Sequence, residues 1–285
     1  MGVRDLLEEA RRALLAANGA AGAASLEAEA LLAHVLEHSR AWLYAHPGDE
    51  VAAEAGERFL ELVQRRVGGE PLAYLTGERE FWSLRLRVSP AVLIPRPETE
   101  LLVEATLAQL PREAGALRVA DIGTGSGAIA LALASERPAW TIVATDRSRA
   151  ALAVARDNAR RLNLDHVFPC LGSWCAPLRG PLDAIVSNPP YVRAGDPHLL
   201  RGDCRHEPKL ALTPGADEWL AFREISRQAA ALLKQGGWLL FEHGWDQGAG
   251  VRDLLTQAGF ADPETLRDLQ GHERVTLGRL SRPRA

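Results

Sequence analysis

Cysteine is scarce in this sequence, with only Cys170, Cys175 and Cys204 among 285 residues. An odd number of cysteines without Cys-x-x-Cys spacing gives neither a closed set of disulfides nor a zinc ribbon. His198 and His206 lie close to Cys204 along the chain, but polar loop residues cluster in this way by chance more often than they form a metal site. We therefore expect no metal centre.

Long apolar runs are also lacking. The longest candidate, "AIALALA" from Ala128, is far shorter than the roughly 18 residues that indicate a membrane span. The first residues, "MGVRDLLEEARRALL", have the mixed charge of an amphipathic helix rather than the basic start and apolar centre of a secretory signal. We expect a cytoplasmic protein without a membrane partner.

The chain has no excess of positive charge. Its net charge is −4, while its hydrophobic content of 47% and charged content of 25% are ordinary for a globular protein. Nucleic-acid-binding domains usually carry a clear basic excess or a basic stripe. Direct binding of nucleic acid is therefore not expected.

The first part of the chain has helical periodicity. Leu, Ala or Val recur at three- and four-residue intervals in three stretches, and this spacing predicts amphipathic helices. The predicted helices cover residues 3–18, 25–44 and 50–67. Ser25 is the expected N-cap of the second helix. Together the helices indicate a small helical domain over residues 1–70.

A linker is predicted over residues 71–96. Trp82, Leu84 and Leu86 alternate with Ser83 and arginines, which is typical of a half-buried strand, here in a β-hairpin. Pro97 suits the first position of a helix. The second domain is therefore expected to run over residues 97–285.

From about Leu117 the pattern alternates between strands and helices. The strands are continuously apolar, as in "LRVADI" and "LDAIVSN". Such strands are buried on both faces, so the alternation predicts an α/β fold with a doubly wound, mostly parallel sheet covered by helices on each side.

The first of these strands leads into a glycine-rich loop. Residues 121–128 read DIGTGSGA, and a helix follows. Glycines allow the backbone to approach a ligand closely, and a helix N-terminus offers unpaired N–H groups to it. Asp146 ends the next strand, where a carboxylate can accept hydrogen bonds from both hydroxyls of a ribose. We expect the loop to bind the adenosine part of a cofactor.

The loop alone does not identify that cofactor. Gly123, Gly125 and Ala128 also match the dinucleotide fingerprint G-x-G-x-x-G/A. A nicotinamide dinucleotide, S-adenosylmethionine and a simple tight turn therefore all remain open at this point.

The fourth strand ends in Asn188-Pro189-Pro190-Tyr191, an unusual terminator. Two prolines alone would stop a strand, but they need neither an amide before them nor an aromatic ring after them. The Asn188 side-chain oxygen and the Pro189 backbone carbonyl can accept the two hydrogens of a planar, conjugated NH₂ group. Such a pair would direct the nitrogen lone pair toward an electrophilic methyl group, while Tyr191 packs over the flat substrate.

The glycine loop, the acidic end of the second strand and N-P-P-Y together resemble the class I S-adenosylmethionine-dependent amino-group methyltransferases. Further segments are similar to the release factor glutamine methyltransferases: "PLAYLTGEREFW" at 71–82, "VLIPRPETE" at 92–100, "HEPKLAL" at 206–212 and "FEHGWDQG" at 241–248. This resemblance covers nearly the whole catalytic domain. It implies S-adenosylmethionine as methyl donor and N5-methylation of the glutamine in the Gly-Gly-Gln motif of bacterial class 1 peptide chain release factors, which the helical domain helps to dock.

The resemblance also assigns site residues. The cofactor-binding set is Gly123, Thr124, Gly125, Ser126, Gly127, Asp146, Trp174 and Asn188. The substrate-binding set is Asn188, Pro189, Pro190 and Tyr191, of which Asn188, Pro189 and Tyr191 are also the expected catalytic residues. Members of the family often have Asp before the tryptophan, whereas Ser173 stands here.

Alternatives remain open on the sequence alone. DNA and RNA amino methyltransferases share N-P-P-Y, although the negative net charge disfavours them. A nicotinamide-dependent dehydrogenase or a non-catalytic adenosine-binding module could also use the glycine loop. Arg96, Glu98 and Glu207 are interpreted as ordinary loop, helix-start and turn residues.

Overall fold

A computed structural model describes residues 1–18, 20–110 and 115–281 of the chain. The chain divides into two compact units. The helical unit consists of Met1–Glu78 together with Arg201–His206, and the catalytic unit consists of Arg79–Leu200 together with the residues from Glu207 onward. The domain limits at residues 70 and 96 stay predictions.

In the described residues of the helical unit there are five α-helices. They are α1 (Val3–Asn18), α2 (Ala21–Leu36), α3 (Arg40–Ala45), α4 (Ala53–Val67) and α5 (Leu72–Thr76). The apolar stripe of α1, Val3, Leu6, Ala10 and Leu14, is fully buried because residues three and four apart lie on one face of a helix. This stripe belongs to a core that is shared with Phe59 of α4.

The predicted second helix was wrong in its limits. It begins at Ala21, so Ser25 lies inside α2 and its hydroxyl donates to the Ala21 carbonyl at 3.3 Å instead of capping the N-terminus. α2 ends where Glu37 adopts a left-handed φ of 55°. Ser39 is the true cap, because its side chain accepts a hydrogen bond from the Trp42 N–H at 3.2 Å and starts α3.

A hairpin of β1 (Glu78–Phe81) and β2 (Leu84–Arg87) has a two-residue turn. Trp82 and Ser83 both have positive φ, 52° and 57°, a conformation that usually selects Asn or Gly. The Trp82 N–H donates to Glu100 Oε1 at 2.9 Å, and its indole N–H donates to Glu136 Oε1 at 3.0 Å. Trp82 therefore lies in the turn that the alternation pattern had extended into a strand.

The catalytic unit is built on a seven-stranded sheet of order β5-β4-β3-β6-β7-β9-β8. Its strands are β3 (Arg118–Ile122), β4 (Thr141–Asp146), β5 (Val167–Leu171), β6 (Leu182–Ser187), β7 (Leu233–Glu242), β8 (Phe260–Arg267) and β9 (Glu273–Leu280). The first five strands in this order are parallel, and β9 runs antiparallel to both neighbours.

Within residues 79–110 and 115–281, six α-helices accompany the sheet: α6 (Glu100–Gln109), α7 (Ala128–Glu136), α8 (Arg149–Arg161), α9 (Lys209–Leu212), α10 (Leu220–Leu232) and α11 (Gly248–Gln257). A 3₁₀ turn, Pro97–Thr99, precedes α6. Successive strand residues enter opposite cores: Val119 packs with Leu131 of α7, while Ala120 packs with Phe222 of α10. The predicted α/β fold with helices on both faces is confirmed. Among the described helices, none has the length and apolar character to cross a membrane.

Candidate active site

The site lies along the carboxyl ends of four adjacent parallel strands. Ile122 is in register with Thr145 and with Ser187, and Ser187 is in register with Phe241. The next residue of each strand therefore falls into one row across the sheet, in the order Asp146, Gly123, Asn188, Glu242. Open α/β sheets bind ligands at this edge.

The glycine loop follows β3 and has three left-handed residues, Gly123, Gly125 and Gly127, with φ of 74°, 56° and 88°. A side-chain carbon added at Gly123 or Gly125 would meet no atom within 4 Å, whereas one added at Gly127 would lie 3.0 Å from Leu131 Cδ1. The first two glycines therefore leave open space above the backbone. The third allows α7 to pack closely against the loop.

Asp121 holds this loop from below. Its fully buried carboxyl accepts hydrogen bonds from the Thr124 hydroxyl at 2.6 Å and from the Ala130 N–H at 3.2 Å. Burial raises its pKa to about 7, because the low-polarity interior disfavours the charged form. Because the Thr124 hydroxyl donates to buried Asp121, the Thr124 side chain points inward, and any cofactor contact by this residue would come from its backbone.

Asp146 has a structural function that the sequence did not reveal. Its Oδ2 accepts the Gly125 N–H at 3.0 Å and its Oδ1 accepts the Ser148 N–H at 2.8 Å. Each carboxylate oxygen has two lone pairs, so both oxygens keep capacity for a ligand hydroxyl. Asp146 thus fixes the loop while it faces the cavity.

A cavity of about 260 Å³ opens beside this loop. Its lining includes Gly123, Gly125, Asp146, Ser173, Trp174, Asn188 and Pro190 from the predicted site and its surroundings. Further lining comes from residues 91–93 and from Pro208, Leu210 and Ala211. Thr124, Ser126, Gly127, Pro189 and Tyr191 do not line it. Of the predicted cofactor-binding residues, the structure therefore brings five to one cavity: Gly123, Gly125, Asp146, Trp174 and Asn188.

The N-P-P-Y segment has defined partners within the catalytic unit. Asn188 Nδ2 donates to the Thr99 hydroxyl at 3.2 Å. The Tyr191 carbonyl accepts a hydrogen bond from Gln247 Nε2 at 3.2 Å. The Tyr191 hydroxyl donates a long hydrogen bond of 3.5 Å to Glu242 Oε1. Burial raises the pKa of the Tyr191 hydroxyl, so it stays protonated and available to donate.

Two family models match the chain. The PrmC N-terminal domain covers residues 5–77, and the Methyltransferase small domain covers residues 97–200. A release factor glutamine methyltransferase from Xylella fastidiosa (strain Temecula1) is 52% identical over 255 residues, spanning 89% of this chain and 92% of the relative. The chain belongs to the release factor glutamine methyltransferase family.

Further relatives of this family carry the same name. The one from Pseudomonas aeruginosa is 51% identical over 90% of this chain and 92% of its own length, and the one from Escherichia coli (strain K12) is 48% identical over 89% and 91%. The predicted family and the predicted class, a methyltransferase, are confirmed.

Solved methyltransferases share the fold. A methyltransferase from Pyrococcus furiosus superposes with a TM-score of 0.54 at 16% identity, covering 77% of this chain and 98% of that chain. The T. thermophilus 16S rRNA N2 G1207 methyltransferase superposes with a TM-score of 0.53 at 20% identity, covering 72% and 50%.

Four residues near the site were missed from the sequence. Glu242 completes the row of strand ends, and Thr99 bonds to Asn188. Asn158 is fully buried, and its Nδ2 donates to the Ser126 carbonyl at 2.9 Å. Glu207, interpreted as a turn residue, has a buried carboxylate that accepts the Ile94 N–H at 2.9 Å and pairs with Arg96. Thr99, Glu207 and Glu242 lie in segments that resemble the family, but the resemblance gave them no individual function, and a single polar residue in such a segment does not show which partner it contacts.

Proposed function

We propose that this enzyme transfers a methyl group from S-adenosylmethionine to the side-chain nitrogen N5 of the glutamine in the Gly-Gly-Gln motif of bacterial class 1 peptide chain release factors. The names of relatives that are 48 to 52% identical over most of the chain support this substrate. The observation that carries the proposal is the position of Asn188, which follows the strand next to the glycine loop and lines the same cavity as Gly125 and Asp146.

The cofactor-binding residues fit S-adenosylmethionine. The open space above Gly123 and Gly125 admits a ligand against the backbone, and Asp146 retains lone pairs for ribose hydroxyls. Trp174 lines the cavity on the side where we expect the adenine. When bound, the cofactor supplies an electrophilic methyl group on a sulfonium centre.

The chain's own contribution is orientation of the substrate amide. An amide nitrogen is a poor nucleophile because its lone pair is delocalised, which also produces the rotation barrier of about 18 to 20 kcal/mol. Asn188 Oδ1 and the Pro189 carbonyl would each accept one hydrogen of the glutamine NH₂ and turn its lone pair toward the methyl group. Fixed alignment of this kind can supply about 7 to 11 kcal/mol of the barrier reduction.

The proposed substrate also implies a partner and a location. We propose that the helical unit, which matches the family's N-terminal model, contributes to docking the release factor. An enzyme that acts on translation factors would work in the cytoplasm. A release factor protein, rather than nucleic acid, would be its direct partner.

Mass spectrometry of a release factor can test the proposal. Purified release factor is incubated with the enzyme and S-adenosylmethionine, and the tryptic peptide with the Gly-Gly-Gln motif is compared with and without enzyme. We expect one added methyl group on the glutamine, and none when this glutamine is replaced with alanine. In a parallel reaction with labelled S-adenosylmethionine, transfer of label to DNA and not to the release factor would overturn the proposal.

A further inference from the structure

The N-P-P-Y segment has little means of fixing its own backbone. Pro189 and Pro190 lack an N–H group, so neither can donate a hydrogen bond, although their rings fix φ. The segment is anchored before the prolines, where fully buried Ser187 donates its hydroxyl to the Ile122 carbonyl at 2.7 Å. The direction of the Pro189 carbonyl, which we expect to accept a substrate hydrogen, therefore depends on a second anchor after the prolines.

That second anchor is the peptide unit between Tyr191 and Val192. Its N–H, which belongs to Val192, donates to the Leu212 carbonyl at 3.0 Å. Its carbonyl oxygen, which belongs to Tyr191, accepts a hydrogen bond from Gln247 Nε2 at 3.2 Å. Because a peptide unit is planar, two bound polar atoms fix its orientation, and they also fix the backbone from which the Tyr191 ring projects.

Gln247 stands at the N-cap of α11, where a side chain normally accepts hydrogen bonds from the first N–H groups of its own helix. The Gln247 side chain has other partners. It is 7% exposed, its Oε1 accepts the Gly244 N–H at 2.9 Å, and its Nε2 donates to the Tyr191 carbonyl. A backbone N–H only donates and a carbonyl only accepts, so these two partners require an acceptor and a donor on one side chain. An amide meets this requirement, whereas an ionised carboxylate has acceptors only and an apolar side chain has neither.

Gly244, the other partner of Gln247, is itself bound to the sheet. Its carbonyl accepts the Gln247 N–H at 2.9 Å and lies 2.8 Å from Nδ1 of fully buried His243. Because a carbonyl only accepts, His243 Nδ1 is the donor, and Nε2 of the neutral ring accepts from the Thr276 hydroxyl of β9 at 2.7 Å. Burial lowers the pKa of His243, which favours this neutral ring. Gln247 therefore reaches Tyr191 from a loop with a fixed position.

We propose that Gln247 is a positioning residue for methyl transfer, which fixes the Tyr191 carbonyl and thereby orients the Pro189 carbonyl and the Tyr191 ring toward the substrate amide. The inference rests on the proposed function, because it requires N-P-P-Y to bind the glutamine of the release factor. Of the described residues concerned, Asn188 and Pro190 line the cofactor cavity, and Gln247 and Tyr191 do not. The test therefore measures cofactor affinity as well as turnover.

Two substitutions at position 247 test the inference. Gln247→Leu removes both the donor and the acceptor. Gln247→Glu keeps the shape: its protonated carboxyl can donate to Tyr191 and accept from Gly244, whereas its ionised form offers only acceptors to the Tyr191 carbonyl. Thr106→Val is the matched control, because it also removes a buried hydrogen bond, the one that fully buried Thr106 of α6 donates to the Leu102 carbonyl at 2.7 Å. For each protein we would measure kcat and KM on the release factor, the dissociation constant of S-adenosylmethionine by calorimetry, and the melting temperature.

We expect Gln247→Leu to lower kcat at saturating release factor by about 10- to 100-fold, the range for a displaced catalytic geometry. The dissociation constant of S-adenosylmethionine should change by less than about threefold, and Thr106→Val should keep kcat within about threefold of the wild type. For Gln247→Glu, kcat relative to the wild type at the same pH should be about tenfold higher at about pH 6 than at about pH 8.5, because the buried carboxyl is protonated at the lower pH.

The outcomes separate the two proposals. A wild-type enzyme that does not methylate the release factor refutes the proposed function, and the inference falls with it. An active wild-type enzyme with a folded Gln247→Leu variant of normal kcat refutes the inference alone, as does a loss of cofactor affinity as large as the loss of kcat. If Gln247→Leu does not fold, Gln247→Glu decides, because its protonated form retains both contacts. A ratio of its kcat to that of the wild type that does not change with pH would then overturn the inference.

Discussion

Replacing Glu242 with glutamine should make the stability of the protein less sensitive to pH. In the folded protein the pKa of this carboxyl is raised from 4.5 to about 7, mainly by burial. Thr99, Tyr191 and Arg274 oppose the rise, and the neighbouring carboxylate of Glu98 adds to it. Glutamine has nearly the same shape and does not ionise.

The sign follows from proton binding. In the unfolded chain Glu242 loses its proton near its ordinary pKa of 4.5, while in the folded protein it keeps the proton until about pH 7. The folded state therefore binds more protons over this interval, and the free energy of unfolding falls as pH rises through it. Between about pH 5 and about pH 8 the loss amounts to about 2.5 kcal/mol, because each unit of pKa difference contributes about 1.4 kcal/mol.

Urea unfolding of the wild type and of Glu242→Gln at the two pH values provides the measurement. The pH-independent effect of the substitution cancels when the change with pH is compared between the two proteins. Glu264→Gln, which removes an exposed carboxyl on β8, serves as the control. An equal pH dependence of the wild type and Glu242→Gln would show that Glu242 does not hold its proton in the folded state.

Four further predictions concern the cavity and the N-P-P-Y segment. Asn188→Ala should lower kcat on the release factor by about 10² to 10³, the usual effect of removing one oriented polar group, and wild-type turnover would contradict its role. Gly125→Val should abolish S-adenosylmethionine binding as measured by calorimetry, because the valine side chain would fill the open space beside the loop and because valine is strained at the φ of 56° that Gly125 adopts. An unchanged affinity would show that the cofactor binds elsewhere. Asp146→Ala should weaken cofactor binding and lower the melting temperature, because the Gly125 and Ser148 N–H groups lose their acceptor. Asp146→Asn keeps one acceptor oxygen and should have a smaller effect. Equal effects of the two substitutions would show that loss of these hydrogen bonds is not the cause. Ser173→Asp should tighten cofactor binding by about fivefold through one added hydrogen bond, which a titration showing no gain would disprove.

The strands of the sheet could be predicted because each is a short, continuously apolar segment of the sequence. "LRVADI" and "LDAIVSN" are apolar throughout, since residues such as Val119 and Ala120 enter cores on opposite faces. The helical unit was harder. α2 contains six alanines, which fit a helix at almost any position, so the pattern did not reveal its start at Ala21 or its end before Ser39.

The same contrast applies to the site. Asp146, Gly123 and Asn188 belong to short motifs in which neighbouring residues restrict each other, so their places in the row could be predicted. Glu242 depends on partners far away along the chain, with Tyr191 51 residues before it. Asn158 likewise joins the Arg87 backbone, 71 residues away, to the glycine loop. Contacts of this kind arise only from the folded chain.

The helical unit is discontinuous in sequence, and this matters for anyone who wishes to produce it separately. Arg205 donates to the Gly68 carbonyl at 2.8 Å, and Asp203 lies 3.6 Å from Arg66. A recombinant fragment that stops at Glu78 would leave the Gly68 carbonyl without Arg205 and the Arg66 guanidinium without Asp203. An autonomous version would need the hexapeptide Arg201–His206 grafted onto its end, and a protease that cuts only after Glu78 would not release a complete module.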